Sequence, residues 1–436
     1  MFDSSLPARC DVLVVGAGPA GSACAQWLAR HGVDVVLVDA HAFPRDKVCG
    51  DGLIPDAHHA LQRLGVHSEV MAQAQAVAAV GVVAPRGGRV NVPGQLAVLP
   101  RKQLDDILKR AAERAGARFF APLRFEACVE DSAGRVVGAR LKSATGSHEI
   151  ATRWVVLATG ALPQALLATG MCQRQAPSGM AARGYMHAPG LVGKIDSLEV
   201  VWHKRLGRGY GWIFPCADGV FNIGVGLSIG GQPGGEPGGQ PGKQAGKQTR
   251  RDQRDPHQDS NLRRLLDVFS QVHPPARDLL AQGQWLGPLK GAPLRCGLEG
   301  ARLGRPGLLV TGEAAGSTYA FTGEGIGKAM ETGLLAAQAL LGGADTADAA
   351  NAAPADAARL ATYAAAVLAL KPRFDLYERA NGVSRHPWLI DLLVWRAQRS
   401  PAILRRMAGV LEETGNPGNL VSLRGVMRLV LPTRWA

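Results

Sequence analysis

Gly16, Gly18 and Gly21 stand at the spacing G-x-G-x-x-G, and Asp39 follows about 20 residues on. Residues of these types in this order bind the diphosphate and ribose of a dinucleotide. Gly16 permits a tight turn, Gly18 lets the backbone approach the pyrophosphate, and Gly21 lets a helix pack close to a strand. The free N–H groups at the start of that helix attract the diphosphate. An acid at Asp39 accepts the ribose hydroxyls. A second glycine-bearing turn lies far downstream in TGEAAGSTYAFTGEGIGKAMETG, residues 311–333, where Gly325 and Ile326 open another helix. Two such helix starts, one near each end of the chain, suit a single FAD held between them. Arg101, at the start of its own helix, either reaches a phosphate or ribityl oxygen or is a surface arginine. Tyr210, Trp212 and Phe214 alternate along one stretch, followed after eight residues by Gly224-Val-Gly226; such aromatics serve either a core or an apolar binding wall.

These groups need a scaffold, and the pattern supplies one. Val12–Val15 and Val35–Val38 are apolar runs of the kind buried on both faces of a parallel sheet, with a helix between them. Residues 41–55 (HAFPRDKVCGDGLIP) read as a structured loop carrying Arg45, Lys47 and Cys49. A helical stretch to about Val66 and short strands over 77–99, turning at Arg86-Gly87-Gly88, follow. Arg101–Ala115 has helical spacing of Leu104, Ile107, Leu108 and Ala111, capped by Gly116. Extended segments near Phe119–Phe120, Phe125–Glu130 and Arg135–Lys142 lead to a buried strand, Trp154–Ala158, that returns to the first sheet. Residues 179–229 read as antiparallel strands, including LEVVWHK. Residues 230–260 are dominated by Gly, Pro and Gln and read as a disordered insertion. A helix Leu262–Gln271, a strand Leu308–Thr311, a helix over 325–341, an alanine-rich piece over 342–358 and a helical remainder complete the chain.

The expected fold class is α/β, or α+β overall: a Rossmann-like FAD-binding domain interleaved with an antiparallel-sheet substrate domain, then a helical C-terminal region. The FAD-binding parts are 1–76, 101–178 and 301–345, and the substrate parts are 77–100 and 179–300. Residues 346–436 form the low-complexity linker and helical region.

With 436 residues and 46% apolar content, the chain is long enough for two joined cores. The net charge of +13 fits an anionic lipid surface, an anionic ligand or arginine-rich codon usage; no motif points to nucleic acid. Seven cysteines without ligand spacing indicate neither a disulfide framework nor a metal site, and suit a reducing cytoplasm. The first strand begins almost at once, leaving no room for a signal peptide. No apolar run reaches the roughly 20 residues needed to span a bilayer.

The sequence resembles the geranylgeranyl reductase family, within the FAD-dependent para-hydroxybenzoate hydroxylase-like superfamily. The resemblance rests on Pro44-Arg-Asp-Lys47-Val-Cys49-Gly50, matching the family's PxxKxCG loop, and on the complete YxWxFP-x8-GxG motif at 210–226. It covers about residues 10–340. It implies that Gly16, Gly18, Ala20 and Gly21 hold the diphosphate and Asp39 the adenosine ribose. Cys49, Gly50 and Gly52 would line the flavin, Arg101 would support the cofactor chain, and Glu313, Gly325 and Ile326 would meet its ribityl and isoalloxazine end. Glu313 stands where the family usually has Asp. Tyr210, Trp212 and Phe214 would wall an apolar substrate tunnel.

The implied chemistry is hydride delivery from reduced FAD to a carbon–carbon double bond of an isoprenoid, with NAD(P)H, another reductant or an electron-donor protein recharging the cofactor. An isolated alkene needs a proton donor opposite the flavin and a dry pocket. Cys49 is the expected catalytic side chain there, a structural thiol being the alternative. The expected partner is an apolar, prenylated small molecule, with peripheral membrane contact through the helix bearing Ile403, Leu404, Met407, Val410 and Leu411 beside Arg405 and Arg406, or through the stretch around Val426–Leu431; packing of this region against the body is the other reading. The rival function is a flavin-dependent monooxygenase or halogenase of the same fold. Against it, Ala158-Thr159-Gly160-Ala161 lacks the acid such hydroxylases carry, and no lysine lies between Lys47 and Lys102. An electron-transferring flavoprotein would not need the aromatic wall.

Overall fold

The computed structural model describes residues 6–229, 261–342, 349–381 and 387–415. The expected insertion at 230–260 and the stretch around Val426–Leu431 lie outside the described residues.

Two sheets organise the molecule. In the first, Arg9–Val15 lies between Val35–Val38 and Ser147–Leu157, all parallel. Arg118–Phe120 extends it on one side and Leu308–Val310 on the other, again parallel. Alternate residues explain the unbroken apolar runs. Leu13, Val15, Val36 and Val155 face one core, completed by the antiparallel strands Arg124–Glu130 and Val136–Lys142. Val12, Val14, Leu37 and Val156 face another, covered by the helices Pro19–Arg30 and Ile326–Leu341. Each such side chain contributes about 2 kcal/mol on burial, so both faces select Val and Leu. The strand expected at Trp154–Ala158 starts earlier, at Ser147, because its first half pairs with Val136–Lys142.

In the second sheet, Gly209–Pro215 pairs antiparallel with Val220–Ser228, and that strand with Gly179–His187. Leu198–Val201 pairs antiparallel with Gly209–Pro215 but parallel with Gln75–Val83. The 179–229 segment is therefore not purely antiparallel in its pairing. Gln75–Val83 and Arg89–Val98 form a hairpin around the 84–88 turn. One face of this sheet packs Val201, Ile213 and Val225 against the helices Leu262–Val272 and Pro274–Gln282. The opposite face presents Val80, Val82, Val200, Trp202, Tyr210, Trp212 and Phe214 to a cavity between the sheets.

The C-terminal part differs from expectation in two ways. A helix, Ala349–Asn381, begins inside the alanine-rich piece; alanine has the strongest helix propensity of any residue. The helix Pro401–Leu411 turns Ile403 and Met407 inward, where with Ile390 and Val394 of Pro387–Ala397 they cover Val90 and Val92. Its apolar face is spent on the body. The apolar periodicity at 403–411 therefore marks a packing face on the body. Among the described residues, no helix is long and apolar enough to cross a membrane.

Candidate functional site

A single cavity of about 940 Å³ is lined by Gly16, Gly18, Ala20, Asp39, Cys49, Gly50, Gly52, Arg101, Glu313, Gly325 and Ile326, and by Tyr210, Trp212 and Phe214. Residues from both ends of the chain thus border one space. The cause is helix packing through small residues. A Cβ on Gly312 would stand 2.6 Å from that of Ala20, and one on Gly333 2.2 Å from the Ala20 carbonyl oxygen. Gly21 alone of the sequence-selected residues stays out of the lining; it seats the first helix, since its Cβ would fall 1.8 Å from the Gly16 oxygen.

One end of the cavity is charged. Asp39 ends its strand with Oδ2 accepting from the Ala17 N–H at 2.9 Å and Oδ1 from the His41 N–H at 2.9 Å. Arg101 is buried, not a surface arginine, and donates to both oxygens of Asp105 at 2.6 and 2.8 Å. Burial works against its charge, and Asp105 more than offsets this, so the guanidinium stays protonated. Arg45 donates to the same carboxylate at 3.0 Å. Both guanidiniums reach a point 3.7 Å from where a Cβ on Gly18 would stand. Two cations, a glycine turn and a helix N-terminus converge there, and the buried Thr159 hydroxyl beside them has no protein partner. These residues fit the diphosphate of a dinucleotide.

The middle of the cavity is clasped by side chains that sequence reading missed. Asn222, fully buried, donates to the Cys49 carbonyl and to Asp51 Oδ2, both at 2.8 Å, and accepts from Trp212 Nε1 at 2.9 Å. The Tyr185 hydroxyl also donates to Asp51. Burial raises the Asp51 carboxyl to about 6, with Arg183 the strongest opposing influence. Arg183 holds the same loop from outside, donating to the Lys47 and Cys49 carbonyls at 2.8 and 3.3 Å and to Asp46 at 2.6 Å. Asp46 sits low, at about 2: burial alone would raise it, and Arg183 with Lys290 outweighs that. We expect Arg183→Met to cost about 3 kcal/mol, because it leaves buried acceptors unpaired. Urea unfolding checks this, and Asp46→Asn costs less, its side chain being 28% exposed in that pair.

The aromatic motif has a geometric cause. Tyr210 pairs across the sheet with Gly226, and Trp212 with Gly224. A Cβ on Gly224 would stand 2.2 Å from the Trp212 ring, and one on Gly226 3.0 Å from that of Tyr210. Each ring lies over a glycine on the next strand. Trp212 and Phe214 then reach the Cys49 loop, 3.6 and 3.1 Å from a Cβ placed on Gly50.

Two acids near the second helix start were also missed. Glu324 borders the cavity, and burial with the nearby charge of Asp56 raises its carboxyl to about 8. Asp56 is raised to about 7 by burial, against the pull of Lys328, and its Oδ1 has no partner. Burial pushes the Cys49 thiol up as well, so the thiol is neutral at pH 7. Beyond the aromatics the walls become apolar: Val80, Val82, Val92, Leu393, Met407 and Leu411.

Comparison with known proteins bears on the family and the fold. A family model described as an FAD binding domain matches residues 9–180. A menaquinone reductase from Mycolicibacterium smegmatis is 32% identical over 350 residues, covering 78% of each chain. A digeranylgeranylglycerophospholipid reductase from Methanopyrus kandleri is 31% identical over 219 residues, half of this chain and 54% of that one. The solved structure of a geranylgeranyl bacteriochlorophyll reductase-like protein from Thermoplasma acidophilum superposes with a TM-score of 0.68 at 20% identity, over 97% of this chain and 96% of that one. With its paired glycine turns facing one cavity and a relative aligned along most of both sequences, the chain belongs to the geranylgeranyl reductase family of FAD-dependent oxidoreductases, within the para-hydroxybenzoate hydroxylase-like superfamily.

Proposed function

We propose that this chain reduces carbon–carbon double bonds in a long isoprenoid chain carried by a quinone or a lipid. The observation that supports this most is the continuity of one cavity. It passes from two guanidiniums and a glycine turn, through an aromatic wall, into an apolar chamber. The relatives named as reductases of menaquinone and of a geranylgeranylated phospholipid support the same substrate class.

When bound and reduced by an external two-electron donor, FAD would supply the hydride to the alkene. The chain's own residues do the rest. Gly16, Gly18 and Ala20 hold the diphosphate, Arg45 and Arg101 neutralise it, and Asp39 takes the ribose. Gly325 and Ile326 bring the second helix N-terminus, with Glu313 alongside, to the cofactor's other end. Tyr210, Trp212 and Phe214 exclude water and hold the alkene within contact distance. The alkene carbon opposite the one that would receive hydride needs a proton, which the chain itself must hold. Glu324 holds that proton: its carboxyl is neutral at pH 7 and borders the cavity.

Cys49 shapes the same wall. We expect Cys49→Ala to keep its flavin and lose most turnover, because the alkene is then poorly positioned. Its alkaline limb stays near pH 8, the value set by Glu324. Turnover equal to the parent's removes Cys49 from the reaction.

The reading is tested by incubating reduced holoprotein anaerobically with a panel of prenylated quinones and lipids. Products are weighed after reoxidation in air. A gain of two hydrogens that survives reoxidation marks a reduced alkene, since a quinol would revert. No such gain with any member of the panel would overturn the reading, and an oxygenated or halogenated product formed in air would favour a monooxygenase or halogenase.

A further inference from the structure

The helix Pro387–Ala397 has two unlike faces. Inward, Ile390 and Leu393 wall the apolar end of the cavity, and Val394 packs on the second sheet. Outward, Trp388 and Trp395 stand 53% and 47% exposed. They are two helical turns apart and so share a side. Large aromatics in water at this exposure are costly, and nothing in the described fold covers them.

The surroundings are cationic. The Arg399 guanidinium lies 4.8 Å from the Trp395 ring centre and that of Arg396 5.8 Å. Arg405 and Arg406 are exposed on the next helix. Asp391, the acid on the tryptophan helix, is engaged by Arg86, whose side chain is otherwise in solvent. Glu412 is exposed at the end of the following helix. The balance is positive, in a chain of net charge +13.

We propose that the Trp388–Trp395 face is a membrane-docking surface that sits among the headgroups of an anionic bilayer. Tryptophan settles at the headgroup level because its ring is apolar and its N–H needs a polar partner; arginine beside it pairs with phosphate. The same helix that touches lipid outside walls the apolar chamber inside, so an isoprenoid leaving the bilayer has a short route to the site. This rests on the isoprenoid reading above. It also places the contact on a different helix from the one that the apolar periodicity at 403–411 points to.

The test uses the FAD-loaded full chain, floated with vesicles of equimolar phosphatidylglycerol and phosphatidylcholine, or of phosphatidylcholine alone. We expect binding to the anionic vesicles, weakened between about 0.1 and about 1 M salt. Brominated lipid should quench tryptophan fluorescence. Trp388→Ala with Trp395→Ala should lower binding by about tenfold or more with an unchanged melting temperature. On substrate dispersed in detergent the double variant keeps its turnover; on substrate in vesicles it loses it. No binding, equal binding to neutral vesicles, or undiminished binding by the variant overturns the proposal. Vesicle binding without reduction of any alkene would leave this surface standing and sink the isoprenoid reading instead.

Discussion

Replacing Glu324 by Gln should leave a yellow, folded protein whose kcat falls by about 10²–10⁴-fold, the usual worth of a positioned proton donor. The shape of the side chain is kept, so binding of cofactor and substrate should change little. The pH profile carries the decisive reading. In the parent protein Glu324 holds its proton up to about pH 8, so turnover should be level below that value and fall above it. The residual activity of the variant should lose that alkaline limb. Asp56→Asn should move the limb to lower pH, because the charge of Asp56 helps to hold the Glu324 proton.

Stability should follow with a definite sign. The folded state binds this proton more tightly than the unfolded chain does. Its contribution is therefore complete below about pH 4.5 and is lost as the pH rises through about 8. Glu324→Gln removes that loss, and the apoprotein of the variant should melt higher than the parent on the alkaline side. A variant with full turnover and an unchanged profile would exclude Glu324 from proton transfer.

The second large effect separates cofactor binding from folding. A Cβ at Gly18 meets nothing nearer than the two guanidiniums at 3.7 Å, and the backbone there, at φ −76°, suits any residue. Gly18→Val should fold and still lose the flavin, because its branches fill the space between the turn and Arg45 and Arg101. A Cβ at Gly21 would lie 1.8 Å from the Gly16 oxygen. Gly21→Val should therefore give little folded protein, since the first helix can no longer seat on its strand. Absorbance near the flavin bands, set beside far-ultraviolet circular dichroism, distinguishes the two. A yellow Gly18→Val protein with parental affinity would place the diphosphate elsewhere.

Much of the first sheet was legible because both its faces are buried. Val12–Val15 and Val35–Val38 have no polar alternation to blur, and the glycine turn between them has few other uses. The aromatic motif was legible as a spacing, but its cause was not. That Gly224 and Gly226 lie beneath Trp212 and Tyr210 depends on cross-strand register. Asn222 and Arg183 were invisible for a related reason. Each is one polar residue in a strand, and its partners lie in the 46–51 loop, more than a hundred residues away. Glu324 acquires its chemistry from burial and the field of Asp56, and Asp56 from burial against the pull of Lys328; neither is written in a local pattern. The helix 401–411 shows the converse limit: periodicity reveals an apolar face without naming what it will meet.

The two sheets also constrain how the protein is born. Gln75–Val83 has one of its neighbours in Leu198–Val201, and the first sheet receives Leu308–Val310 only late. A ribosome therefore extrudes a valine-rich strand long before the segment that will shield its open edge exists. Neither sheet can be finished until Lys290–Leu294 and Leu308–Val310 have been made, and fragments cut before them would inherit unsatisfied borders. That open edge is exposed to pairing with other chains during the interval, and the two sheets share segments from both ends of the chain once it is complete.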